Sequence, residues 1–310
     1  MLIVIALGGN ALLQRGEPLE ADLQKRNIKV TAKAIAKLAK DHQVVICHGN
    51  GPQVGLLALQ AENYKEVEPY PLDVLDAETQ GMIGYLIQQE IGNSLADKPV
   101  ITLLTQVEVD SKDSAFKNPS KPIGPVYDKE QAERISKERG WTVAQDGKYF
   151  RRVVPSPQPK KIVELEVARH LVARDVVVIF GGGGGIPVIR NNKDQLEGVE
   201  AVIDKDNTAS LIAEKLKADA LLILTDVKNV CVDWGTSKEK SIKAASPELL
   251  RKIDFAKGSM GPKINASCRF VENTKKIAAI GNLSEMADIV EGKAGTRIES
   301  NATKISFYDQ

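Results

Sequence analysis

The sequence predicts an α/β fold, a three-layer αβα sandwich around a mostly parallel central sheet. Three apolar runs at 2–7, 43–48 and 176–180 are rich in β-branched residues and do not alternate with polar ones. This pattern is typical of strands buried on both faces of a parallel sheet. Glycines directly follow each run, and helical patterns fill much of the chain between the runs. Because the carboxyl ends of parallel strands share one sheet edge, the three glycine-rich loops are expected to meet there.

The first 110 residues read as strands alternating with helices. After the strand at 2–7, a helix is predicted over 20–40, where Ile28, Ala32, Ile35 and Ala39 recur at helical spacing. The remaining predicted elements of this part are a strand at 43–48, helices near 53–62 and 73–92, and a strand at 100–109.

Residues 111–155 are predicted to form a small protruding subdomain inserted into the sandwich. The stretch 111–160 holds six of the 14 prolines and no long apolar run, and a helix is predicted near 128–139. Between 111 and 152 the chain carries ten basic and six acidic residues. Such a segment fits either a lid over an anionic substrate or a surface embellishment.

The alternation resumes at residue 160 and continues nearly to the end of the chain. The stretch 301–310 is predicted to be a loose tail. The predicted elements before it are helix 160–173, strand 176–180, a strand near 199–203, helix 206–217, strand 220–225, helices near 247–252 and 261–273, strand 276–280, helix 283–289 and a strand near 295–299.

Composition argues against several classes of protein. Lys plus Arg number 42 and Asp plus Glu 41, and a net charge of +1 does not favour nucleic-acid or membrane-surface binding. Three scattered cysteines indicate neither a disulfide framework nor a zinc site. The chain starts almost at once with a strand, and no apolar run approaches the ~20 residues of a membrane span. We therefore expect a cytoplasmic protein.

The three glycine-rich loops predict one phosphate-sized anion site. Glycine lets backbone N–H groups approach an anion closely. The alternative for the five-glycine run is a tight crossing of backbones. The loop at 49–55 also resembles a dinucleotide fingerprint, which leaves an NAD(P)-dependent oxidoreductase as an alternative. The loop glycines and asparagines concerned are Gly8, Gly9, Asn10, Gly49, Asn50, Gly51 and Gly181 through Gly185.

Two lysines stand at predicted helix starts. In Asp204-Lys205-Asp206 one carboxylate can cap the helix, which leaves the other carboxylate and Lys205 to be explained. Lys263 follows Pro262 at a second helix start, where the helix dipole disfavours a cation unless an anion compensates. We expect both lysines to contact phosphate oxygens, although a solvated Lys263 is the alternative.

Taken together, these motifs resemble the carbamate kinases, within the amino acid kinase family. The resemblance runs from Ala6-Leu7-Gly8-Gly9-Asn10 to Gly295-Thr296-Arg297. The stretches that carry it are His48 to Leu57, Lys121-Pro122-Ile123-Gly124-Pro125, Arg151 to Pro157, Ala201 to Asp206, and Gly258-Ser259-Met260-Gly261-Pro262-Lys263.

The resemblance implies a reversible phosphoryl transfer, in which carbamoyl phosphate and ADP give ATP and carbamate with Mg²⁺ held mainly by the nucleotide phosphates. It also implies two lobes. Residues 1–205 would bind carbamate or carbamoyl phosphate, with the lid at 111–155, and residues 206–310 would bind the nucleotide.

The resemblance further assigns roles to residues. Lys205, Asp206, Lys263 and the lid residue Lys121 would be catalytic, with Asp206 orienting the two helix-start lysines. The substrate would meet Gly8, Gly9, Asn10, Gly49, Asn50, Gly51, Gly182 and Gly183. The nucleotide would meet Lys205, Thr225, Asp226, Met260 and Lys263.

One position departs from the pattern: the family often places an aromatic residue where Cys231 stands, which puts adenine stacking in doubt. The resemblance also implies a homodimer. The predicted helix at 73–92 offers apolar residues for this contact, with Gly81 and Gly84 permitting close approach; they are Val74, Met82, Ile83, Leu86 and Ile87. Burial of these residues within one chain is the alternative.

An acetylglutamate kinase-like enzyme is the alternative of the same fold. The insertion with Lys121 and the absence of a lysine just before Gly8 oppose it. The oxidoreductase alternative leaves Lys205, Lys263 and the glycine run unexplained. A non-catalytic homologue would have been indicated by loss of Lys205, Asp206 or Lys263, and all three are present.

Overall fold

The computed structural model describes residues 1–13, 16–256 and 258–309, except for the side chain of Asn10. The helices are α1 (Ala21–Asp41), α2 (Gly51–Asn63), α3 (Leu72–Ser94), α4 (Lys129–Arg139), α5 (Leu165–Ala173), α6 (Lys205–Lys215), α7 (Pro247–Leu250), α8 (Met260–Thr274) and α9 (Met286–Val290), with short 3₁₀ turns at Gly9–Ala11, Ser114–Phe116, Gly182–Gly184 and Leu283–Glu285.

Seventeen strands occur within the described ranges. They are β1 (Leu2–Leu7), β2 (Gln43–His48), β3 (Val100–Thr102), β4 (Gln106–Val109), β5 (Lys121–Tyr127), β6 (Val143–Asp146), β7 (Tyr149–Val154), β8 (Pro159–Ile162), β9 (Val177–Ile179), β10 (Ile186–Arg190), β11 (Leu196–Gly198), β12 (Ala220–Thr225), β13 (Cys231–Val232), β14 (Lys240–Ala245), β15 (Ile277–Asn282), β16 (Thr296–Ile298) and β17 (Ser306–Phe307).

Ten of these strands form the central sheet, in the order β13-β14-β16-β15-β12-β1-β2-β9-β3, with β17 beside β14. The inner part from β15 to β3 is parallel throughout, whereas β16, β13 and β17 add antiparallel pairs near one edge. The sheet is therefore mostly parallel, as predicted. It also runs through both predicted lobes, because β1 from the first half pairs with β12 from the second. The boundary at residue 205 stays a prediction.

The two faces of the sheet are covered by different helices, which confirms the three-layer sandwich. Side chains alternate between the faces along each strand. Val4 and Ala6 of β1 pack in the core formed with α5, α6 and α8. Ile3, Ile5 and Leu7 pack in the core formed with α1, α3 and α9. Both faces are apolar because both are buried, which explains the unbroken apolar runs in the sequence.

The predicted insertion has its own sheet, in which β7 pairs with β5 and β6, and α4 packs beside it. The lid, defined here as residues 111–155, rests on α2 at one very tight contact. A Cβ atom on Gly55 would lie 1.9 Å from the Cα of Gly124, whose φ is +70°. Gly55 must be glycine to allow this approach, and the left-handed φ of Gly124 favours glycine there, so the two residues fix where the lid meets the sandwich.

Four predicted elements differ from the structure. The stretch 100–109 contains two strands in two sheets, because β4 leaves the central sheet to pair with β8 and β10. The predicted helix 160–173 begins only at Leu165, since Pro159–Ile162 is the strand that pairs with β4. Residues 199–203, all of them described, form no strand but an irregular segment that leads into α6. The tail is not loose at Ser306–Phe307, which pairs with β14.

The described part of the chain has no helix that combines the length and the apolar character needed to cross a bilayer.

Candidate active site

A cavity of about 410 Å³ opens between the lid and the carboxyl ends of β1, β2 and β9. The sequence prediction that the glycine-rich loops meet at one sheet edge is therefore confirmed. Nine residues predicted from the sequence line this cavity, namely Gly9, Gly49, Asn50, Gly51, Lys121, Gly183, Lys205, Asp206 and Lys263.

The N-terminus of α6 places two charged side chains in the cavity. Asp204 caps the helix, because its Oδ1 accepts hydrogen bonds from the N–H groups of Asp206 (2.9 Å) and Asn207 (3.3 Å). Lys205 and Asp206 follow in the first turn, and both side chains are buried. The cap is thus Asp204, and Asp206 is free for another role.

Asp206 holds two lysines at once. Its Oδ1 accepts a hydrogen bond from the Lys205 ammonium group, and its Oδ2 accepts one from Lys263 at 3.0 Å. Lys263 comes from the first turn of α8, where it sits against the dipole of its own helix. The Asp206 carboxylate compensates the Lys263 charge within the protein, and the predicted contact of Lys263 with phosphate oxygens stays a prediction.

The pKa values in this cluster follow from burial opposed by charge. Burial disfavours the ionised Asp206 carboxylate, but the charges of Lys205 and Lys263 outweigh burial and hold its pKa below the usual value. Burial also acts on the lysines. It lowers the pKa of Lys205 despite Asp206, whereas the charge and hydrogen bond of Asp206 outweigh burial at Lys263 and raise its pKa.

The lid supplies a third lysine. The ammonium group of Lys121, from β5, lies 2.5 Å from Oδ2 of Asp204. Burial opposes ionisation of Asp204, but the Lys121 charge holds its pKa below the usual value. Three lysines thus face two carboxylates around one cavity. The excess of positive charge makes the cavity suited to an anion.

A second cavity, of about 800 Å³, adjoins the first. Ser259 and Lys263 line both cavities. The predicted nucleotide residues Thr225, Asp226 and Met260 line the second one, and the Thr225 hydroxyl donates to Asp226 Oδ1 at 3.1 Å. Lys205, also predicted to meet the nucleotide, lines only the first.

The second cavity also contains Cys231, Trp234 and Phe255. Trp234 is 67% exposed. An exposed aromatic surface thus lies three residues after Cys231. Sequence reasoning missed Trp234, because nothing in the residues around it indicates a ligand cavity.

Gly8 and Gly182 do not line the cavity of the three lysines. The N–H of Gly8 donates to the Leu224 carbonyl oxygen at 2.8 Å, and a Cβ on Gly8 would lie 2.9 Å from that oxygen. A Cβ on Gly182 would lie 2.4 Å from Nε2 of His48. These glycines are required by close packing. The backbone of Asn10 follows Gly9 in a 3₁₀ turn, and its side chain lies outside the described part.

Packing explains much of the five-glycine run. Each of its residues would bring a Cβ to within 2.8 Å of a neighbour, and four of the five have positive φ. The neighbours are Ile212 for Gly181, His48 for Gly182, Asn50 for Gly183, Ile203 for Gly184 and Val107 for Gly185. The structure thus shows the tight crossing of backbones that was the alternative for this run. Gly183 also lines the cavity, and contact of the run with a ligand stays a prediction.

Sequence reasoning missed the second role of Asp204. The cap position was recognisable from the sequence alone. The ion pair with Lys121 was not, because the partner lies 83 residues away in the lid. The buried residues Asp76 and Thr79, which hydrogen-bond Asn50, were missed for the same reason.

Among the described residues, no group of three or more His, Cys, Asp or Glu side chains is placed to hold a metal ion. The two carboxylates at the cavity are engaged by lysines. This donor set does not fit a metal ion bound by protein ligands alone.

The fold and the lysine cluster define the class to which this chain belongs. The model of the amino acid kinase family matches residues 1–282, and the chain is a member of that family. It is 56% identical over 309 residues to the carbamate kinase of Haemophilus influenzae, covering 99% of this chain and 100% of the relative. The chain therefore belongs to the carbamate kinases, which sets aside the acetylglutamate kinase-like and oxidoreductase alternatives.

Solved structures agree with this assignment. The carbamate kinase from Giardia lamblia bound to citric acid superposes with a TM-score of 0.91 at 41% identity, covering 97% of this chain and 98% of that chain. The same protein bound to AMP-PNP gives a TM-score of 0.87 at 42% identity, with the same coverage.

Proposed function

We propose that this chain transfers a phosphoryl group between carbamoyl phosphate and ADP in the first and second cavities, giving carbamate and ATP reversibly. The observation that carries the proposal is the junction of the two cavities at Lys263 and Ser259, beside the Lys205–Asp206 pair. A small acyl phosphate in one cavity and a nucleotide in the other would bring donor and acceptor together at the lysines.

The lysines provide the chemistry that phosphoryl transfer requires. The transferred group carries its charge on its peripheral oxygens, so catalysis depends on positioning and charge neutralisation. Lys205 and Lys263 would each neutralise one of these oxygens. Asp206 would hold both ammonium groups at a fixed separation, since it hydrogen-bonds both. The attacking oxygens of carbamate and of ADP are already anionic, so the mechanism needs no general base.

The glycine-rich loops would form the floor of the substrate cavity. Gly9, Gly49, Gly51 and Gly183 line it, and the absence of side chains lets the ligand approach the backbone. The carbon stem of Lys205 packs on Gly49, where a Cβ would lie 3.5 Å from its Cδ. Gly8 and Gly182 would contribute indirectly by shaping the same turns. Asn10 is proposed as a substrate residue from the sequence motif alone.

The nucleotide is proposed to occupy the second cavity. Thr225, Asp226 and Met260 would contact it, with its phosphates directed towards Lys263. Mg²⁺ bound to these phosphates would neutralise part of their charge. Because the carboxylates of the first cavity, Asp204 and Asp206, are engaged by lysines, we propose that the ion is held mainly by the nucleotide.

A homodimer is the proposed assembly. Ile83, Leu86 and Ile87, three residues predicted for the contact, are buried within the chain and do not support it. Two further residues predicted for the contact, Val74 and Met82, remain exposed, together with apolar side chains on α3, in the edge strand β3 and just after it. They are Val74, Met82, Tyr85, Ile101 and Leu104, exposed by 37% to 56%. An apolar group of this kind favours a protein contact. The cytoplasmic location stays a prediction.

ATP formation tests the proposed function. Purified protein with ADP, Mg²⁺ and carbamoyl phosphate should produce ATP, measured in a coupled assay. N-acetylglutamyl phosphate serves as the comparison substrate. ATP from N-acetylglutamyl phosphate and none from carbamoyl phosphate would contradict the proposal.

A further inference from the structure

The carboxamide of Asn50 is held in one orientation by two buried acceptors. Its Nδ2 donates to Asp76 Oδ1 at 2.8 Å and to Thr79 Oγ1 at 2.9 Å. The Thr79 hydroxyl donates its own proton to the main-chain carbonyl of Asp76 at 2.9 Å. Its oxygen is therefore left to accept from Asn50. Both N–H protons of the amide are thus used within the protein.

This arrangement leaves Asn50 with only its carbonyl oxygen to offer a ligand. Within the described part of the chain, Oδ1 of Asn50 has no hydrogen-bond partner, and the residue lines the cavity that contains Lys121 and Lys205. Gly183 leaves room for the carboxamide, because a Cβ there would lie 2.3 Å from Nδ2. Asn50 therefore presents to the cavity a hydrogen-bond acceptor that cannot act as a donor, at a site with an excess of positive charge.

Because this network is buried, leaving one of its polar groups without a hydrogen bond would be energetically costly. Asn50, Asp76 and Thr79 are each at most 2% exposed. Burial raises the pKa of the Asp76 carboxyl well above its usual value, against the hydrogen bond from Asn50. In either protonation state Oδ1 of Asp76 can accept from Asn50, because the proton can reside on Oδ2. That second oxygen has no partner in the described residues.

The other side chains around the cavity do not offer a fixed acceptor. Lysine ammonium groups only donate. The carboxylates of Asp204 and Asp206 are bound to lysines. Three serines and Asn207 also line the cavity, and each can act as donor or acceptor. A substrate amino group needs an acceptor, which distinguishes it from a methyl group of similar size.

We propose that Asn50 Oδ1 accepts a hydrogen bond from the amino group of the substrate and so selects carbamoyl phosphate over acyl phosphates with a methyl group in that place. Asp76 and Thr79 are positioning residues that keep the Asn50 oxygen directed into the cavity. The inference rests on the proposed function, since it concerns how that reaction's substrate is recognised.

The test compares carbamoyl phosphate with acetyl phosphate as the phosphoryl donor to ADP. The measured quantity is the ratio of the two kcat/KM values. Wild type should favour carbamoyl phosphate, and Asn50→Leu should lower the ratio about 10- to 100-fold, the usual effect of losing one hydrogen bond at a desolvated site. Thr79→Val should lower it in the same direction. Thr79→Ser, which keeps the hydroxyl, should retain the wild-type ratio and so controls for packing.

The outcomes separate the inference from the proposed function. Equal losses with both donors in Asn50→Leu and Thr79→Val would overturn the inference, because Asn50 would then only shape the cavity. If Asn50→Leu does not fold, the comparison of Thr79→Val with Thr79→Ser decides the question by itself. Absence of ATP formation from carbamoyl phosphate in the wild type would instead overturn the proposed function, and the inference with it.

Discussion

At the scale of single residues, the buried Lys205–Asp206–Lys263 group is the centre of the proposed mechanism. One carboxylate neutralises part of two ammonium charges, which allows both to remain charged in a cavity where burial opposes them. Removing either lysine leaves Asp206 with a single partner and removes one contact to the transferred phosphoryl group.

Lys205→Ala and Lys263→Ala should each lower kcat by about 10²–10³-fold, the usual effect of losing one contact to transition-state charge. Because the lysines face the moving phosphoryl group, kcat should fall more than KM rises. Steady-state kinetics with carbamoyl phosphate and ADP measures both constants. Lys293→Ala is the control, since this lysine is exposed and pairs with Glu291 outside both cavities. A near-normal kcat with a raised KM would place the lysines in ground-state binding.

The buried side chain of His48 makes the stability of the fold depend on pH. Burial lowers its pKa from 6.5 to about 4. Nδ1 lies 3.1 Å from the Gly49 carbonyl oxygen, and Nε2 has no partner in the described part of the chain. The unfolded chain binds a proton below pH 6.5, whereas the folded chain resists it until about pH 4. This residue therefore lowers stability as pH falls through that window.

Between pH 7 and pH 5, His48 should reduce the free energy of unfolding by about 2 kcal/mol. Urea denaturation at the two pH values measures the change. The same experiment on His48→Gln isolates the contribution, because other titrating groups are shared by both proteins. Identical pH dependence in the two proteins would show that His48 is not held neutral by the fold.

Residue roles could be predicted from the sequence where neighbouring residues in the chain indicate them. Lys205, Asp206 and Lys263 stand at helix starts, where cap chemistry and the helix dipole make an extra charge conspicuous. The Asn50–Asp76–Thr79 network could not be predicted, because it joins a loop after β2 to the N-terminal third of α3. Hydrogen bonds between distant segments leave no periodic or compositional trace in a sequence.

At the scale of elements, the lid connects the substrate cavity to α2. It carries Lys121 on β5, and it touches α2 through Gly55 and Gly124. The position of Lys121 over the cavity therefore depends on a backbone contact between two glycines.

Lys121→Ala should strongly lower kcat/KM for carbamoyl phosphate, because no lysine precedes Gly8 to replace its charge. ADP binding, measured by calorimetry, should stay nearly unchanged, since Lys121 does not line the second cavity. Equal losses in rate and in ADP affinity would assign Lys121 to the nucleotide site. No loss in either would make the insertion a surface embellishment.

Gly55→Ala should reproduce the Lys121→Ala kinetics by displacing the lid. The added methyl group would lie 1.9 Å from the Gly124 Cα, and overpacking of backbone in this way costs about 1–3 kcal/mol. Thermal unfolding and the carbamoyl phosphate assay measure the two effects. Gly92→Ala in α3 is the matched control, because a Cβ there meets nothing within 4 Å. Normal kinetics in Gly55→Ala would show that the lid position does not depend on this contact.

At the scale of the whole molecule, the sheet and its two helix layers could be predicted because both faces are buried. The apolar runs of β1, β2 and β9 read as parallel strands for that reason. Most of the wrong predictions lie where a strand pairs outside the central sheet, as at Pro159–Ile162, or at its edge, as at Ser306–Phe307. The exception is 199–203, where the predicted strand is an irregular segment. Pairing at such places depends on distant partners and leaves only short segments in the sequence.

The molecule should be a dimer through α3 and the neighbouring β3 edge. Light scattering at micromolar concentration should give twice the chain mass of 33.7 kDa. Tyr85→Arg and Leu104→Arg should reduce that mass, because each places a charge in the exposed apolar group. Val30→Arg is the control, since Val30 is 69% exposed on α1, outside this group. A monomer mass for the wild type would reject the dimer.

The central claim is that the phosphoryl group passes directly between ligands bound in two adjoining cavities, without a covalent enzyme intermediate. The most direct test is the stereochemical course at phosphorus, followed with carbamoyl phosphate made chiral by oxygen isotopes and read from the γ-phosphate of the ATP formed. A single in-line transfer inverts the configuration. Inversion is the predicted result. Retention would require two transfers through a phosphorylated residue, and it would contradict the account.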